Sequence, residues 1–201
     1  MKKVGLIFIL FFITIEGFSQ NKIDSGELPN IDSLCQIGFH YEIKDLKFIQ
    51  ESKKLLEIRF HSFSMFSRSC TILSFDGQAW QLINIIPSYD STVNPIYDTL
   101  KSIPQNILQQ NFDSLKRNRV FALPDFYCLN LKGIVYDGIW GFIEIKADAF
   151  YRQYNYNNPC SYFEMNKDIP ELKNLCNVVD LFKKMIYGNN STSKKKNKSK
   201  T

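Results

Sequence analysis

Two Asp-Gly dipeptides between alternating apolar and polar residues constrain the fold of this chain most strongly. They are Asp76-Gly77 and Asp137-Gly138. Both central residues of a type I′ turn need positive φ, which Asp and Gly tolerate, so each dipeptide favours a β-hairpin. The flanking stretches are 69–75 and 78–86 for the first dipeptide, and 129–136 and 139–146 for the second. The sequence therefore predicts two antiparallel hairpins, with 55–65 and 150–156 as further strands.

Two stretches with a helical apolar period follow the two strand groups. The first opens with Ser102 and Gln105, which have the spacing of a capping box. The second is predicted to start at the capping pair Asp168 and Glu171 and to end at Gly188. The apolar stripes consist of Leu108, Phe112 and Leu115 in the first stretch, and of Leu172, Leu175, Cys176, Val179, Phe182 and Ile186 in the second. Both stretches are typical of amphipathic helices that cover an apolar surface.

The order of strand-rich, helical, strand-rich and helical stretches predicts an α+β domain. Tight turns join most of the strands, so we expect a mostly antiparallel sheet. One amphipathic helix lies between the two strand groups, and a C-terminal helix packs on one face. Shorter helices are predicted at 31–37 and 45–53, and an extended piece at 120–124.

The N-terminus has the three-part layout of a secretory signal peptide. Two lysines precede a stretch of twelve mostly apolar residues, and the small residues Gly17 and Ser19 precede a cleavage site before Gln20. A membrane-spanning helix needs roughly 20 apolar residues, so the stretch is too short to be one. We therefore predict export to the periplasm or the extracellular space, with no stable membrane insertion after signal cleavage.

The formal net charge of +5 arises at the two ends of the chain. Between residues 20 and 188 there are 18 basic and 19 acidic side chains. A nearly neutral body lacks the basic surface that nucleic acid requires, so no nucleic-acid partner is predicted. The predicted organisation is a signal peptide at 1–19, a single globular α+β domain at 20–188, and a disordered Lys-rich tail at 189–201.

The chain has five cysteines, and their spacing argues against a metal site. They are Cys35, Cys70, Cys128, Cys160 and Cys176. They form no CxxC pair, and no His lies at zinc-site spacing. Outside the cytoplasm disulfides form, and an odd number of cysteines allows at most two within one chain. Cys160 and Cys176 are the candidate pair because they are close in sequence. The position of Cys176 on an apolar helix face fits a buried thiol equally well, so the connectivity stays open.

The turn around Asp148 decides which side chains of the last two strands share a face. A three-residue loop would place Glu144 opposite Arg152 as a cross-strand ion pair. A loop with an even number of residues separates apolar from polar side chains better, and we prefer it. Arg152 then lies on the apolar face with Tyr154 and Tyr156.

An Arg on an apolar face needs an acidic partner or a stacked ring, unless its stem lies along aromatic surface with the head in water. Alternatively, its guanidinium meets an anionic ligand in a cleft. Packing is the simpler explanation. Arg152, Tyr154 and Tyr156 are nevertheless the residues that the sequence offers as candidates for ligand binding.

Catalytic motifs are absent from the sequence. It contains no GxSxG, no HExxH and no Gly-rich phosphate loop, and its only histidines are His40 and His61. Asp137 and Glu144 would be one acid–base pair, but the turn explains Asp137 better. We therefore predict no catalytic residue, no metal and no cofactor.

The segment DGIWGFIEIKADAFYRQYNYNNP, residues 137–159, resembles a pattern in uncharacterised exported proteins of Gram-negative bacteria. The matching features are Asp137-Gly138, Glu144, Tyr151-Arg152-x-Tyr154, Asn158-Pro159, and the upstream Leu123-Pro124-Asp125. Signal cleavage is predicted before Gln20, and the resemblance covers about half of the chain that then remains. It implies an exported α+β domain and carries no activity with it.

These observations favour a non-catalytic domain that binds a partner protein or a small ligand in the cell envelope. Abundant aromatic residues, which suit recognition surfaces, support this prediction. The alternative is a secreted hydrolase with a non-standard active site, in which His61 or paired carboxylates converge in a pocket with shifted pKa values. An inhibitor or immunity-type protein that occludes a surface is a third hypothesis, which the sequence does not separate from the first.

Overall fold

The computed structural model describes residues 43, 46–65, 67–87, 94–99 and 103–188. The predicted signal peptide, the predicted helix at 31–37 and the predicted Lys-rich tail lie outside these residues. Within the described residues, no helix is both long and apolar enough to cross a membrane.

Six strands form one antiparallel sheet in the order β4-β3-β2-β1-β5-β6. The first four strands follow one another as a meander, and β5 returns to pair with the free side of β1. The strands are β1 Leu56–Phe63, β2 Arg68–Phe75, β3 Trp80–Ile86, β4 Ile96–Thr99, β5 Trp140–Ala147 and β6 Phe150–Asn157; the helices are α1 Gln105–Arg117, α2 Pro159–Met165 and α3 Pro170–Tyr187. The predicted α+β class is confirmed.

One face of the sheet carries the main hydrophobic core beneath the helices. Phe60 of β1 lies at its centre, stacked between Tyr156 of β6 at 5.1 Å and Phe182 of α3 at 4.8 Å. Burying such aromatic side chains removes large apolar areas from water, which is the main favourable term in folding. We call this side of the sheet the helix face.

The opposite side of the sheet, which we call the polar face, is partly covered by residues 46–54, the cover segment. Ile49 in its 3-10 turn is fully buried, and Leu46 packs on a small apolar cluster. That cluster consists of Ile43, Cys70, Ile72 and Ile85. The polar face therefore has an apolar part over β2 and β3 and a polar part over β1, β5 and β6.

The first Asp-Gly hairpin is confirmed, but its turn is wider than a two-residue type I′ turn. Phe75 pairs with Trp80, which leaves a four-residue connection. The Asp76 carboxylate accepts hydrogen bonds from the backbone N–H groups of Ala79 and Gln78, and these bonds lower the pKa of Asp76 to about 2. Gly77 supplies the positive φ that the turn needs.

The second predicted hairpin is wrong. Residues 129–136 form no strand, and the partners of β5 are β1 and β6. Pairing with β1 lets Ile143 and Ile145 face the helix-side core beside Phe60 and Ile58, which a local hairpin would not achieve. Residues 131–135 lie against α2 instead, where the Val135 N–H donates to the Tyr162 hydroxyl.

The helices α1 and α3 are confirmed, and so is the end of α3 at Gly188, whereas the predicted N-terminal caps are wrong. The residues at their N-caps are Pro104 and Ile169, and neither makes a side-chain cap. The Gln105 side chain bonds both the N–H and the carbonyl of Trp80, which ties the start of α1 to β3. Other short elements also differ from prediction. The described residues 46–53 contain the 3-10 turn Ile49–Glu51 rather than a longer helix, residues 120–122 of the predicted extended piece form turns, and neither β4 nor α2 was predicted.

The candidate disulfide between Cys160 and Cys176 is confirmed, so the alternative of a buried Cys176 thiol is wrong. The bridge joins α2 to α3 across a sequence separation of 16 residues. Cys128 is also disulfide-bonded, and Cys70 is a buried free thiol.

The preferred register of the last two strands is confirmed. Ala147 pairs with Phe150, so the loop has two residues, and Glu144 lies opposite Gln153. Arg152 is therefore on the helix face, as predicted.

Candidate functional site

The three residues that the sequence offered as ligand contacts lie in the protein interior. Arg152 and Tyr154 are 0% exposed and Tyr156 is 1% exposed. The Arg152 guanidinium donates from Nη1 to the Phe121 carbonyl at 2.9 Å and from Nη2 to the Leu123 carbonyl, and it lies 4.8 Å from the Tyr154 ring centre. Burial lowers the pKa of Arg152.

The two tyrosines beside Arg152 also bond to the main chain. The Tyr154 hydroxyl donates to the Val120 carbonyl at 3.0 Å, and the Tyr156 hydroxyl donates to the His61 carbonyl at 2.7 Å. Burial raises the pKa of both phenols. Arg152 and Tyr154 hold residues 120–123 against β6, and Tyr156 links β6 to β1. All three side chains therefore stabilise the fold, and the candidate site lies on the polar face.

Four charged side chains alternate in sign on the polar face. Glu57 lies opposite Lys146, and Arg59 lies opposite Glu144, in the pairing of β1 with β5. Arg59 donates from Nε to Glu57 at 2.6 Å and from Nη1 to the Lys47 carbonyl at 2.7 Å. The charges cancel locally, and Arg59 holds the cover segment to the sheet.

The Glu144 carboxylate of this pattern also pairs with His61, which is buried, whereas Glu144 is half-buried. The His61 Nε2 lies 2.8 Å from the Glu144 carboxylate, and the ring stacks on Phe142 at 4.1 Å. Since a carboxylate accepts, Nε2 carries the proton. Burial lowers the pKa of His61, which outweighs the opposite effect of Glu144, so the ring is neutral at pH 7. Among the residues that the structure describes, Nδ1 has no hydrogen-bond partner.

Cys70, His61 and Glu144 are three titratable side chains on the adjacent strands β2, β1 and β5. Cys70 lies directly opposite His61 in the pairing of β1 with β2, and its Sγ is 3.8 Å from His61 Nε2. The thiol is fully buried, and burial raises its pKa well above the usual range. A nucleophilic cysteine needs a lowered pKa and access to substrate, so Cys70 is an inert thiol in this conformation.

Half-buried and exposed side chains continue the polar face across β5 and β6. We call Trp140, Tyr151, Gln153 and Asn157 the outer row. Trp140 is 42% exposed and stacks on Phe63 at 4.6 Å, whereas Trp80 is buried on the helix face. The pKa of Tyr151 is raised by burial first and by Glu144 second. The outer row thus combines an aromatic surface with phenol and amide groups that both donate and accept hydrogen bonds.

Sequence reasoning named His61 and Glu144 separately but missed Cys70 and the outer row. His61 and Glu144 are separated by 83 positions in the chain. The alternation in β1 predicts that His61 and Phe60 lie on opposite faces of the sheet, but no local signal identifies β5 as the partner of β1.

The described residues contain one group of possible metal ligands, namely Cys160, Cys176 and Asp180. The two sulfurs bond each other, and each lies 4.0 Å from an Asp180 carboxylate oxygen. Because a metal ion needs thiolates, this oxidised pair does not provide a metal site.

Comparisons of the chain with protein-family models, with curated proteins and with solved structures find no match. The resemblance to exported bacterial proteins therefore stays a prediction.

Proposed function

We propose that this protein is an exported domain that binds a partner protein or a small ligand in the cell envelope and does not transform it. The binding surface is the outer row on the polar face. The observation that supports the proposal most directly is Trp140, which is 42% exposed among hydrogen-bonding side chains of the same sheet face. Partly exposed tryptophans are frequent binding hot spots because a large apolar ring lies beside a polar rim.

The state of the buried centre favours binding over catalysis. His61 is neutral and already bonded to Glu144, and Cys70 is a protonated, fully buried thiol. A hydrolase needs a nucleophile or an activated water that the substrate can reach. The His61–Glu144 pair instead links β1 to β5 on the same face, beside the outer row.

A pull-down tests this function. The protein without residues 1–19 and its variants Trp140→Ala and Tyr187→Ala are immobilised and exposed to cell-envelope extract. Tyr187 is a matched control because it is 63% exposed at the end of α3, on the other side of the molecule. We expect stoichiometric capture of one component by the parent and by Tyr187→Ala, and its loss with Trp140→Ala. Equal capture by all three proteins contradicts the proposed surface.

The second candidate function is an exported hydrolase centred on His61. It is favoured by the arrangement of Cys70, His61 and Glu144 on three adjacent strands of one face. This function requires the cover segment to move so that substrate reaches Cys70. Rapid alkylation of the native Cys70 thiol by iodoacetamide, together with esterase activity that Cys70→Ala abolishes, supports the hydrolase. A thiol that stays unmodified in the folded protein excludes it.

A further inference from the structure

Resting on the proposed function, we propose that the outer row binds an uncharged saccharide chain. Sugar rings have an apolar C–H side that packs on aromatic rings and a rim of hydroxyl groups that both donate and accept hydrogen bonds. Trp140 offers the aromatic surface, and Gln153 and Asn157 of the neighbouring strand add amides. Their oxygens accept hydrogen bonds from the Tyr151 hydroxyl at 3.4 Å and from the Asn158 amide at 2.9 Å, so sugar hydroxyl groups would join or exchange with these bonds.

The charge pattern favours an uncharged ligand at this surface. Glu57, Arg59, Glu144 and Lys146 alternate in sign across β1 and β5, so these four side chains balance one another, and Arg68 of β2 adds a further charge, opposite the Phe63 on which Trp140 stacks. Sites that bind phosphates or carboxylates instead concentrate Arg, Lys or helix N-termini. A neutral, hydroxyl-rich ligand is complementary to this balance.

The shape of the row favours a chain over a single sugar. Trp140 lies directly opposite Asn157, and Gln153 lies on the same face of β6 beyond Asn155, which is buried and donates to the Asp125 carboxylate. At about 3.3 Å per residue, the distance from Asn157 to Gln153 along the strand is roughly 13 Å, which several linked rings occupy. The row ends at Tyr151, beside the cover segment, where Lys146 donates to the Lys54 carbonyl at 3.3 Å.

The test is calorimetric titration of the protein without residues 1–19 with defined oligosaccharides. The neutral probes are cellohexaose, chitohexaose, laminarihexaose and maltohexaose, and hexagalacturonate is the charged comparison. We expect at least one neutral hexasaccharide to bind. Trp140→Ala should weaken that binding by about tenfold or more, as loss of an aromatic hot spot does, whereas Tyr187→Ala should leave it within about twofold.

Three results would overturn the inference: no neutral probe binds, hexagalacturonate binds as tightly as the best neutral probe, or Trp140→Ala binds as the parent does. Protease treatment of the envelope extract before the pull-down separates this inference from the proposed function. Capture that depends on Trp140 and disappears after protease treatment identifies a protein partner, so the saccharide inference fails and the proposed function stands. Absence of any capture that depends on Trp140 makes both fail.

Discussion

Two buried polar side chains, Arg152 and His61, lie on opposite faces of the same sheet and have different protonation states. Arg152 keeps its charge because two carbonyls and an aromatic ring replace the water that it loses. His61 is neutral because burial outweighs the attraction of Glu144. Each state follows from the groups that the fold supplies around the side chain.

Replacing Arg152 should destabilise the protein strongly. Arg152→Met keeps the apolar stem but leaves the carbonyls of Phe121 and Leu123 without donors in the interior. Lost hydrogen bonds from a charged group and unsatisfied acceptors together predict a decrease of about 2–4 kcal/mol in the free energy of unfolding in urea. The exposed Arg117→Met control should stay within about 0.5 kcal/mol. A loss of less than about 1 kcal/mol for Arg152→Met would contradict this structural role.

The His61 side chain should make stability depend on pH. Its pKa in the folded state lies below the ordinary 6.5, so the unfolded chain takes up a proton first as the pH falls. The stabilisation is fully present above pH 6.5 and decreases below it, with a limiting slope of about 1.4 kcal/mol per pH unit.

Urea unfolding between about pH 5 and pH 7, where the ordinary histidine titration lies, checks this expectation. The variant His61→Gln keeps an amide donor for Glu144 but does not titrate, so its stability should vary less with pH. His40→Gln, at the only other histidine of the chain, is the comparison that separates the contribution of His61 from that of the second histidine. An unchanged slope in His61→Gln would show that other groups cause the pH dependence.

At the scale of elements, a disulfide fixes the helix pair that follows the sheet. The bridge between Cys160 and Cys176 closes a separation of 16 residues between α2 and α3. Both sulfurs lie near the Asp180 carboxylate, one turn after Cys176 on α3. The helix pair therefore has a covalent link and a negative charge directly beside it.

Removal of the bridge should lower stability. A loop of this length restricts the unfolded chain by an amount that corresponds to about 3 kcal/mol. We expect the double variant Cys160→Ser/Cys176→Ser to unfold at lower urea concentration by that free energy. Unfolding at the same urea concentration as the parent would mean that the helix packing alone fixes α2 on α3.

Asp180 should slow the reduction of the disulfide. A reducing thiolate is repelled by the nearby carboxylate, which also disfavours the thiolate that leaves. Asp180→Asn should therefore speed reduction by glutathione several-fold, measured by alkylation of the released cysteines and mass spectrometry. The control Glu164→Gln removes an exposed charge from α2 and should leave the rate unchanged. Equal rates in the parent and Asp180→Asn would exclude the effect.

Most strands of the sheet are predictable from the sequence, but their pairing partners are not. The strands β1, β2, β3, β5 and β6 follow from alternation, and the even loop before Phe150 follows from the separation of apolar from polar side chains. The Asp137-Gly138 dipeptide misled because its positive-φ glycine precedes β5, whose partners are β1 and β6 and not residues 129–136. Partner choice depends on long-range burial, which no short segment encodes.

For the candidate binding residues, the sequence predicts the face of the sheet but not the contacts that each side chain makes. The sequence offers Arg152, Tyr154 and Tyr156 as candidates for ligand binding and places them correctly on the apolar face. Their structural role does not follow from the sequence, because the carbonyls that accept their hydrogen bonds belong to the irregular segment 120–123 and to His61 of β1, both distant in the chain. Trp140 stood in a predicted strand, but its exposure depends on which side of the sheet the helices cover.

In the whole molecule, the sheet separates the face that carries the main core from the face that carries the proposed binding surface. The helices and the main core occupy one face, and the disulfide holds two of those helices together. The other face has a buried polar centre under the cover segment and an outer row at the β5–β6 side.

The central claim is that binding takes place at the outer row. The most direct measurement is the two-dimensional NMR spectrum of the ¹⁵N-labelled protein, recorded with and without the component that it captures. We expect the Trp140 indole N–H and the side-chain amides of Gln153 and Asn157 to shift or broaden, while the Trp80 indole on the helix face stays unchanged. Changes confined to the helices, with the Trp140 indole unaffected, would contradict the account.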